Sequence, residues 1–174
     1  MGYEFGFARM DYKDNDDVSV DEYFDSIYWF ICGWNHTEMH QAFAELAGTP
    51  YMRDGKPMEH YEIGSECVFE VSKLAFVKRL YEQLVGQKLI KIIYALLEIG
   101  EDYAYEFIES LPDGVMAAIR LSYVLEDATP QEQAICNMFL EDFDYGYYYT
   151  VEGLAEAYDK MVEDGVEKVI LFDS

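Results

Sequence analysis

The sequence predicts an α+β fold, a mostly helical single domain with a small sheet from N-terminal, central and C-terminal strands. Apolar residues make up 51% of the 174 residues, which is enough for a sizeable core. Alternation with a period of two appears near the N-terminus, whereas helical spacing and helix-capping patterns dominate the second half. We expect an α+β part over about residues 1–87 and a strongly acidic, mainly helical part over about residues 88–174.

The first part is predicted to contain two strands and three helices. Tyr3, Phe5 and Phe7 alternate with smaller or polar residues, which is typical of a strand with one buried face. Two capping boxes, each a Ser or Asn followed three residues later by Glu, predict helices over 19–33 and 35–47. The other expected elements are a loop or turn over 48–58, a strand over 67–71 and a helix over 72–86.

Helices dominate the second part. Pro112-Asp113-Gly114 breaks the helical pattern, and Thr129-Pro130 with Glu132 predicts the start of a later helix. A short strand is expected over 145–150, and another over 166–172, where the sequence is VEKVILF. The predicted helices cover about residues 88–111, 113–127, 130–143 and 151–164.

The chain is strongly acidic. It has 35 Asp and Glu against 12 Lys and Arg, a formal charge of −23. This charge repels nucleic acid and anionic membranes and attracts basic partners, so we expect no direct binding to nucleic acid or to membranes. Most of the excess lies in residues 98–174, which carry 19 acidic and 3 basic side chains.

Cysteine usage and hydropathy predict a soluble, cytoplasmic protein. Cys32, Cys67 and Cys136 are an odd number at irregular spacing, which argues against a disulfide framework and favours buried thiols. The N-terminal residues do not resemble a signal peptide, and no uncharged apolar segment reaches the roughly 18 residues that span a bilayer. We expect a monomer or a homodimer.

Two rows of carboxylates are predicted on helix surfaces. Residues three or four apart lie on one side of a helix, and the apolar residues of both helices fall on the opposite side. The carboxylates are therefore expected to face solvent. The first row, with one residue just past its end, is Glu98, Asp102, Glu106, Glu109 and Asp113, and the second is Glu152, Glu156, Asp159 and Glu163.

The cost and the spacing of these rows favour a binding role. Like charges three or four apart destabilise a helix by about 0.2–0.5 kcal/mol per pair. A step of four residues rises about 6 Å along the axis, close to the spacing of phosphates on a nucleic-acid strand. Tyrosines such as Tyr105 and Tyr147 lie among the acidic residues and stack well with Arg, although packing in the core explains many of the tyrosines equally well. The rows and these tyrosines are the predicted surface for a basic partner, although a solvated surface without a partner accounts for the same rows.

In composition and charge layout the chain resembles phage-encoded DNA-mimic inhibitors, namely anti-restriction and anti-CRISPR proteins, and also acidic immunity proteins that neutralise nuclease toxins. The resemblance implies an inhibitor that occupies the nucleic-acid groove of a basic protein such as a nuclease, a restriction enzyme or a CRISPR effector. It includes no sequence motif, so it assigns no role to a single residue. We expect no catalytic residue and no cofactor.

Other function classes stay open. A secretion chaperone or adaptor is also commonly small and acidic, and it would need an exposed apolar groove or dimer face. A metal-binding enzyme would use His36 and His40, although surface positions in the first turn of a helix are the default expectation for both. Residues 11–22 match a calcium-binding loop in part, but Lys13 and Asp16 replace a ligand and the turn glycine. Adaptation to high salt would explain the charge without any partner.

Overall fold

The fold is α+β, as predicted. A computed structural model describes residues 3–13, 18–33, 37–62, 64–141 and 147–173, which form eight α-helices, a four-stranded sheet and a two-stranded hairpin. The chain forms two compact units, which we call the sheet unit (Met1–Ala75 with Gly153–Ser174) and the helical unit (Phe76–Glu152). The single domain expected from the sequence stays a prediction. Among the described residues, no helix has the length and apolar character needed to cross a membrane.

The four-stranded sheet belongs to the sheet unit, and its neighbouring strands are all antiparallel. Along the chain the strands are β1 (Tyr3–Ala8), β2 (Ile27–Gly33), β3 (Met52–Arg53), β4 (Lys56–Pro57), β5 (Cys67–Glu70) and β6 (Lys168–Asp173). The order in the large sheet is β2-β1-β6-β5, and β3 with β4 forms the hairpin. The strands predicted over 67–71 and 166–172 are confirmed as β5 and β6.

Two of the eight helices of the described residues, the first and the seventh, begin at capping boxes that the sequence predicts. They are α1 (Val20–Asp25), α2 (Thr37–Ala47), α3 (Ala75–Val85), α4 (Lys88–Ile99), α5 (Glu101–Ser110), α6 (Val115–Leu121), α7 (Pro130–Glu141) and α8 (Tyr147–Glu163). The predicted capping boxes at Ser19 and Thr129 are confirmed, since their hydroxyls accept the amides of Glu22 and Glu132 at 3.3 and 3.2 Å. Asn35, the third predicted cap, lies outside the described residues.

Both faces of β1 are buried, so the expectation of one buried face is wrong. On one face, the ring centroid of Phe7 lies 5.6 Å from that of Phe43 on α2. On the other face, Phe172 is buried beneath Tyr12, with ring centroids 4.8 Å apart. Tyr12 in turn packs against Tyr23 of α1 at 5.9 Å, so α1 and the segment before it cover the second face.

Gly6 lies where no side chain fits between two paired strands. A Cβ at this position would come 2.2 Å from the carbonyl oxygen of Trp29 and 2.8 Å from Cα of Phe30. Because both are backbone atoms of β2, relief would require the strands to separate. We expect Gly6→Ala to lower the free energy of unfolding by about 1–3 kcal/mol or more, measured by urea denaturation. Gly86→Ala is the control, since its Cβ would meet nothing nearer than 3.4 Å, and an equal loss from both would contradict this assignment.

One predicted helix is in fact a helix followed by a strand. The helix expected over 19–33 ends at Asp25, and Ile27–Gly33 is β2. The segment Ile-Tyr-Trp-Phe-Ile is β-branched and aromatic, and its pairing with β1 stabilises the extended form. A capping box fixes where a helix begins and not how far it continues.

Three predictions in the second part also need correction. The helix expected over 88–111 is two helices, α4 and α5, separated at Gly100. The helix expected over 113–127 is limited to Val115–Leu121. The strand expected over 145–150 is wrong, because Tyr147–Thr150 is the first turn of α8.

Candidate partner-binding surface

An exposed row of carboxylates follows one side of α5. Asp102, Glu106 and Glu109, which we call the α5 row, are all exposed, and Asp113 is exposed in the turn after the helix. Their separations of four and three residues correspond to about 6 and 4.5 Å along the helix axis. This part of the first predicted row is confirmed as a solvent-facing surface.

Within the described ranges, the α5 row has no ion-pair partner. Among the described residues of the helical unit, an ion pair joins Arg79 to Glu132, with 3.9 Å between Nη2 and Oε2. No basic side chain of the described chain forms an ion pair with the α5 row or with Asp113. No direct ion pair with a described residue therefore cancels the negative charge of the row, and salt screens its attraction for an approaching partner.

Glu98 does not belong to the same helix as the rest of its predicted row. It is exposed on α4, while the other members follow Gly100. The backbone of Gly100 is extended (φ 167°, ψ 145°), and its N–H donates to the carbonyl of Leu96 at 3.0 Å, which ends α4. The prediction of one continuous row from Glu98 is therefore wrong.

The second predicted row lies on α8 and is only partly exposed. Glu156, Asp159 and Glu163, in the sheet unit, face solvent. Glu152, in the helical unit, is half-buried, and its Oε1 accepts a long hydrogen bond of 3.4 Å from the Tyr81 hydroxyl. Glu152 is thus less available to a partner than the sequence spacing predicts.

Of the tyrosines near these rows, Tyr103 has the exposure that contact with a partner requires. Tyr105 is half-buried, and the side chain of Tyr147 lies outside the described residues. Tyr103 is 57% exposed and lies three residues before Glu106, so it is a neighbour of the α5 row on the helix surface. Helical spacing does not separate the two tyrosines of α5, because Tyr103 lies three residues before Glu106 and Tyr105 four residues before Glu109; their exposure does.

A second group of polar residues, which sequence reasoning missed, lies buried in the sheet unit. His40 on α2 is 1% exposed and the Asp173 side chain on β6 is 0% exposed, with His40 Nδ1 3.2 Å from Asp173 Oδ2. The Tyr61 hydroxyl hydrogen-bonds His40 Nδ1 and lies 3.5 Å from Asp173 Oδ2. The expectation that His40 is a surface histidine is wrong.

This His40–Asp173–Tyr61 cluster holds the sheet unit together and is closed to substrates. The imidazole of His40 stacks on Phe5 of β1, with centroids 5.4 Å apart and an interplanar angle of 12°. The cluster therefore links α2, the segment before β5, and the end of β6. The side chains of His40 and Asp173 are both enclosed, so we assign the cluster a structural role.

The structure also bears on the metal alternatives. His36 lies outside the described residues, and His40 is occupied by the buried cluster. Within the described part of the chain, no group of three or more His, Cys, Asp or Glu is arranged to hold a metal ion. In the segment compared with a calcium loop, Asp11 is paired with Arg9 at 2.7 Å and Glu22 is held by the Ser19 cap, which lowers the pKa of Glu22.

Two of the cysteines are buried thiols, as expected, and Cys32 has its side chain outside the described residues. Burial raises the pKa of Cys67 to about 11 and that of Cys136 to about 12, so both stay protonated at neutral pH. In a Cys32→Ser variant we expect neither thiol to react with iodoacetamide at about pH 8 in the folded protein, and both to react in urea. Mass spectrometry of the alkylated chain measures this, and rapid labelling of the folded protein would contradict the assigned burial.

Comparisons with protein-family models, with curated proteins and with solved structures find no significant match.

Proposed function

We propose that this chain is an acidic inhibitor that mimics nucleic acid and blocks the nucleic-acid-binding groove of a basic protein, such as a nuclease, a restriction enzyme or a CRISPR effector. The observation that carries the proposal is the α5 row, which is exposed and has no ion-pair partner in the described chain. Interleaved Lys or Arg would lower the repulsion within such a row, yet residues 98–119 contain none. The row keeps its charge at some cost in stability, as a binding surface would.

The proposed mechanism is charge substitution. Carboxylates of the α5 row, with Asp113 and Glu98 in the same unit, take the positions of phosphates against Lys and Arg of the partner. The exposed ring of Tyr103 supplies a face on which an Arg of the partner stacks. Association is then fast and sensitive to salt, since long-range attraction steers the encounter. Glu156, Asp159 and Glu163 of the sheet unit form a second acidic surface for the same kind of partner.

The proposal has consequences for where and how the chain acts. It acts in the cytoplasm as a monomer or homodimer, without cofactor and without turnover. It does not bind nucleic acid itself, because both are polyanions. It inhibits a partner by competing with nucleic acid for the same groove.

Inhibition of a panel of purified nucleases, restriction enzymes and CRISPR effectors tests the proposal. We expect DNA cleavage by at least one of them to stop at a near-stoichiometric amount of the chain. Poly-glutamate at equal total charge is the control, and it should inhibit much less because it has no fixed spacing of carboxylates. A gel shift of the isolated chain with duplex DNA should show no complex. A clear shift, or inhibition equal to that by poly-glutamate, would refute the mimic.

A further inference from the structure

An apolar groove on the helical unit lies outside the acidic rows. It has a volume of about 710 Å³ and is formed by the side of α6, the turn after it and the second half of α7. Leu121 is 69% exposed and Val124 is 49% exposed, although both are large apolar side chains in a strongly acidic chain. The lining residues are Ala117, Arg120, Leu121, Val124, Asn137 and Leu140.

Two glutamines hold the exposed wall of this groove in place. The side-chain amide of Gln83 on α3 donates to the carbonyls of Ser122 and Val124 at 2.7 and 2.9 Å. Gln133 on α7 accepts the amide of Leu125 at 3.1 Å and donates to the carbonyl of Tyr123 at 3.0 Å. The turn that carries Val124 is thus fixed from two helices. A surface held in this way loses little conformational entropy when a partner binds.

The charges in and near the groove indicate which kind of partner it binds. One charged residue, Arg120, lines the groove. It is flanked in the sequence by three exposed acidic residues that form no ion pair with the described residues: Asp113 before α6, and Glu126 and Asp127 after the turn. The helical unit carries 14 Asp and Glu against five Lys and Arg. A second copy of this chain would bring another charge of −23, so self-association through the groove is opposed.

We propose that the groove binds an amphipathic helix of a partner protein whose apolar row enters between α6 and α7 and whose outer positions are Lys or Arg. Helices that dock in this way present apolar residues at i, i+3, i+4 and i+7 to a groove, and Lys or Arg at their outer positions is attracted by the net negative charge of the helical unit. This is the exposed apolar surface that the adaptor class requires. The inference stands independently of the nucleic-acid mimicry proposed above.

Three labelled peptides test the groove with the full chain. The first is a helical peptide of about 14 residues with Leu at i, i+3, i+4 and i+7 and Lys elsewhere. The second has Ser in place of Leu and keeps the charge, and the third has Glu in place of Lys and keeps the apolar row. By fluorescence anisotropy at physiological salt, we expect the Leu–Lys peptide to bind roughly tenfold or more tightly than the Ser–Lys peptide. The Leu–Glu peptide should not bind. Equal binding of the two Lys peptides would overturn the proposal, because it would reflect charge alone.

Matched variants locate the binding. The double variant Leu121→Ser with Val124→Ser should weaken Leu–Lys binding by roughly tenfold or more, while its thermal unfolding stays close to that of the parent because both side chains are exposed. The control is Ile99→Ser with Val162→Ser, two residues that are 70% and 54% exposed elsewhere, and it should change affinity by less than about twofold. Equal losses from both variants would overturn the groove as the site. Sedimentation equilibrium measures self-association. If the chain forms a dimer that Leu121→Ser dissociates, the groove binds a second copy of the chain, and the proposal of a partner helix is overturned as well. These measurements use no nuclease. Their result therefore does not depend on whether the chain mimics nucleic acid.

Discussion

Replacement of His40 by Leu is expected to lower the free energy of unfolding by about 3–5 kcal/mol, a large part of the roughly 5–15 kcal/mol of a typical domain. The physical reason is the burial of Asp173. Its side chain is 0% exposed, and His40 Nδ1 lies 3.2 Å from its Oδ2. Without the His40 imidazole, the Asp173 carboxylate stays buried but loses its contact with Nδ1. Urea denaturation followed by tryptophan fluorescence measures the loss.

The control for this prediction is removal of both partners. In the double variant His40→Leu with Asp173→Leu, no charge is left behind in the core, so most of the lost stability should return. The cycle formed by the two single variants and the double variant gives the coupling energy between the residues. A cost below about 1 kcal/mol for His40→Leu, or additive losses in the double variant, would show that the pair does not hold the sheet unit together.

Neutralising the α5 row is expected to slow association with the basic partner by roughly tenfold or more at low salt. The change is Asp102→Asn, Glu106→Gln and Glu109→Gln, which keeps side-chain size and removes three charges. The association rate should also depend less on salt, because fewer opposite charges meet at the interface. Thermal stability should stay equal or rise slightly, since the changes remove like-charge neighbours on one helix. Surface plasmon resonance over a series of salt concentrations measures both rate and slope.

A charge-matched variant separates geometry from total charge. Glu59→Gln, Glu82→Gln and Glu167→Gln also remove three exposed carboxylates, but these are scattered over the chain and form no ion pair with the described residues. We expect this variant to keep most of the association rate. Neutralising Glu156, Asp159 and Glu163 then asks whether the second acidic surface contributes. Equal losses from the scattered set and the α5 row would mean that only net charge matters.

Much of the fold could be predicted because its signals are local. The capping boxes at Ser19 and Thr129 are contained within four residues, and both are present. The alternation in Tyr3–Ala8 is likewise local, and it gives a strand. Exposure of the α5 row follows from helical periodicity alone, which explains why this part of the candidate surface was predictable.

Most of the wrong predictions concern structure that depends on contacts between distant parts of the chain. Ile27–Gly33 is a strand because it pairs with β1, and the sequence around Ser19 contains no sign of that pairing. The helix break at Gly100 interrupts an apolar pattern that continues on both sides of it, so spacing alone did not reveal it. His40 and Asp173 are far apart in the sequence and meet only because β6 lies beside β1. The turn fixed by Gln83 and Gln133 likewise depends on residues from three separate segments.

Competition between this chain and duplex DNA for one basic protein tests the central claim most directly. The measurement is the concentration of the chain that halves DNA cleavage, determined at increasing DNA concentrations with the partner held constant. If the chain occupies the nucleic-acid groove, this concentration should rise in proportion to the DNA, and the complex of chain and partner should retain no DNA in a gel shift. An inhibitory concentration that does not change with DNA, or a stable complex containing chain, partner and DNA together, would contradict the account.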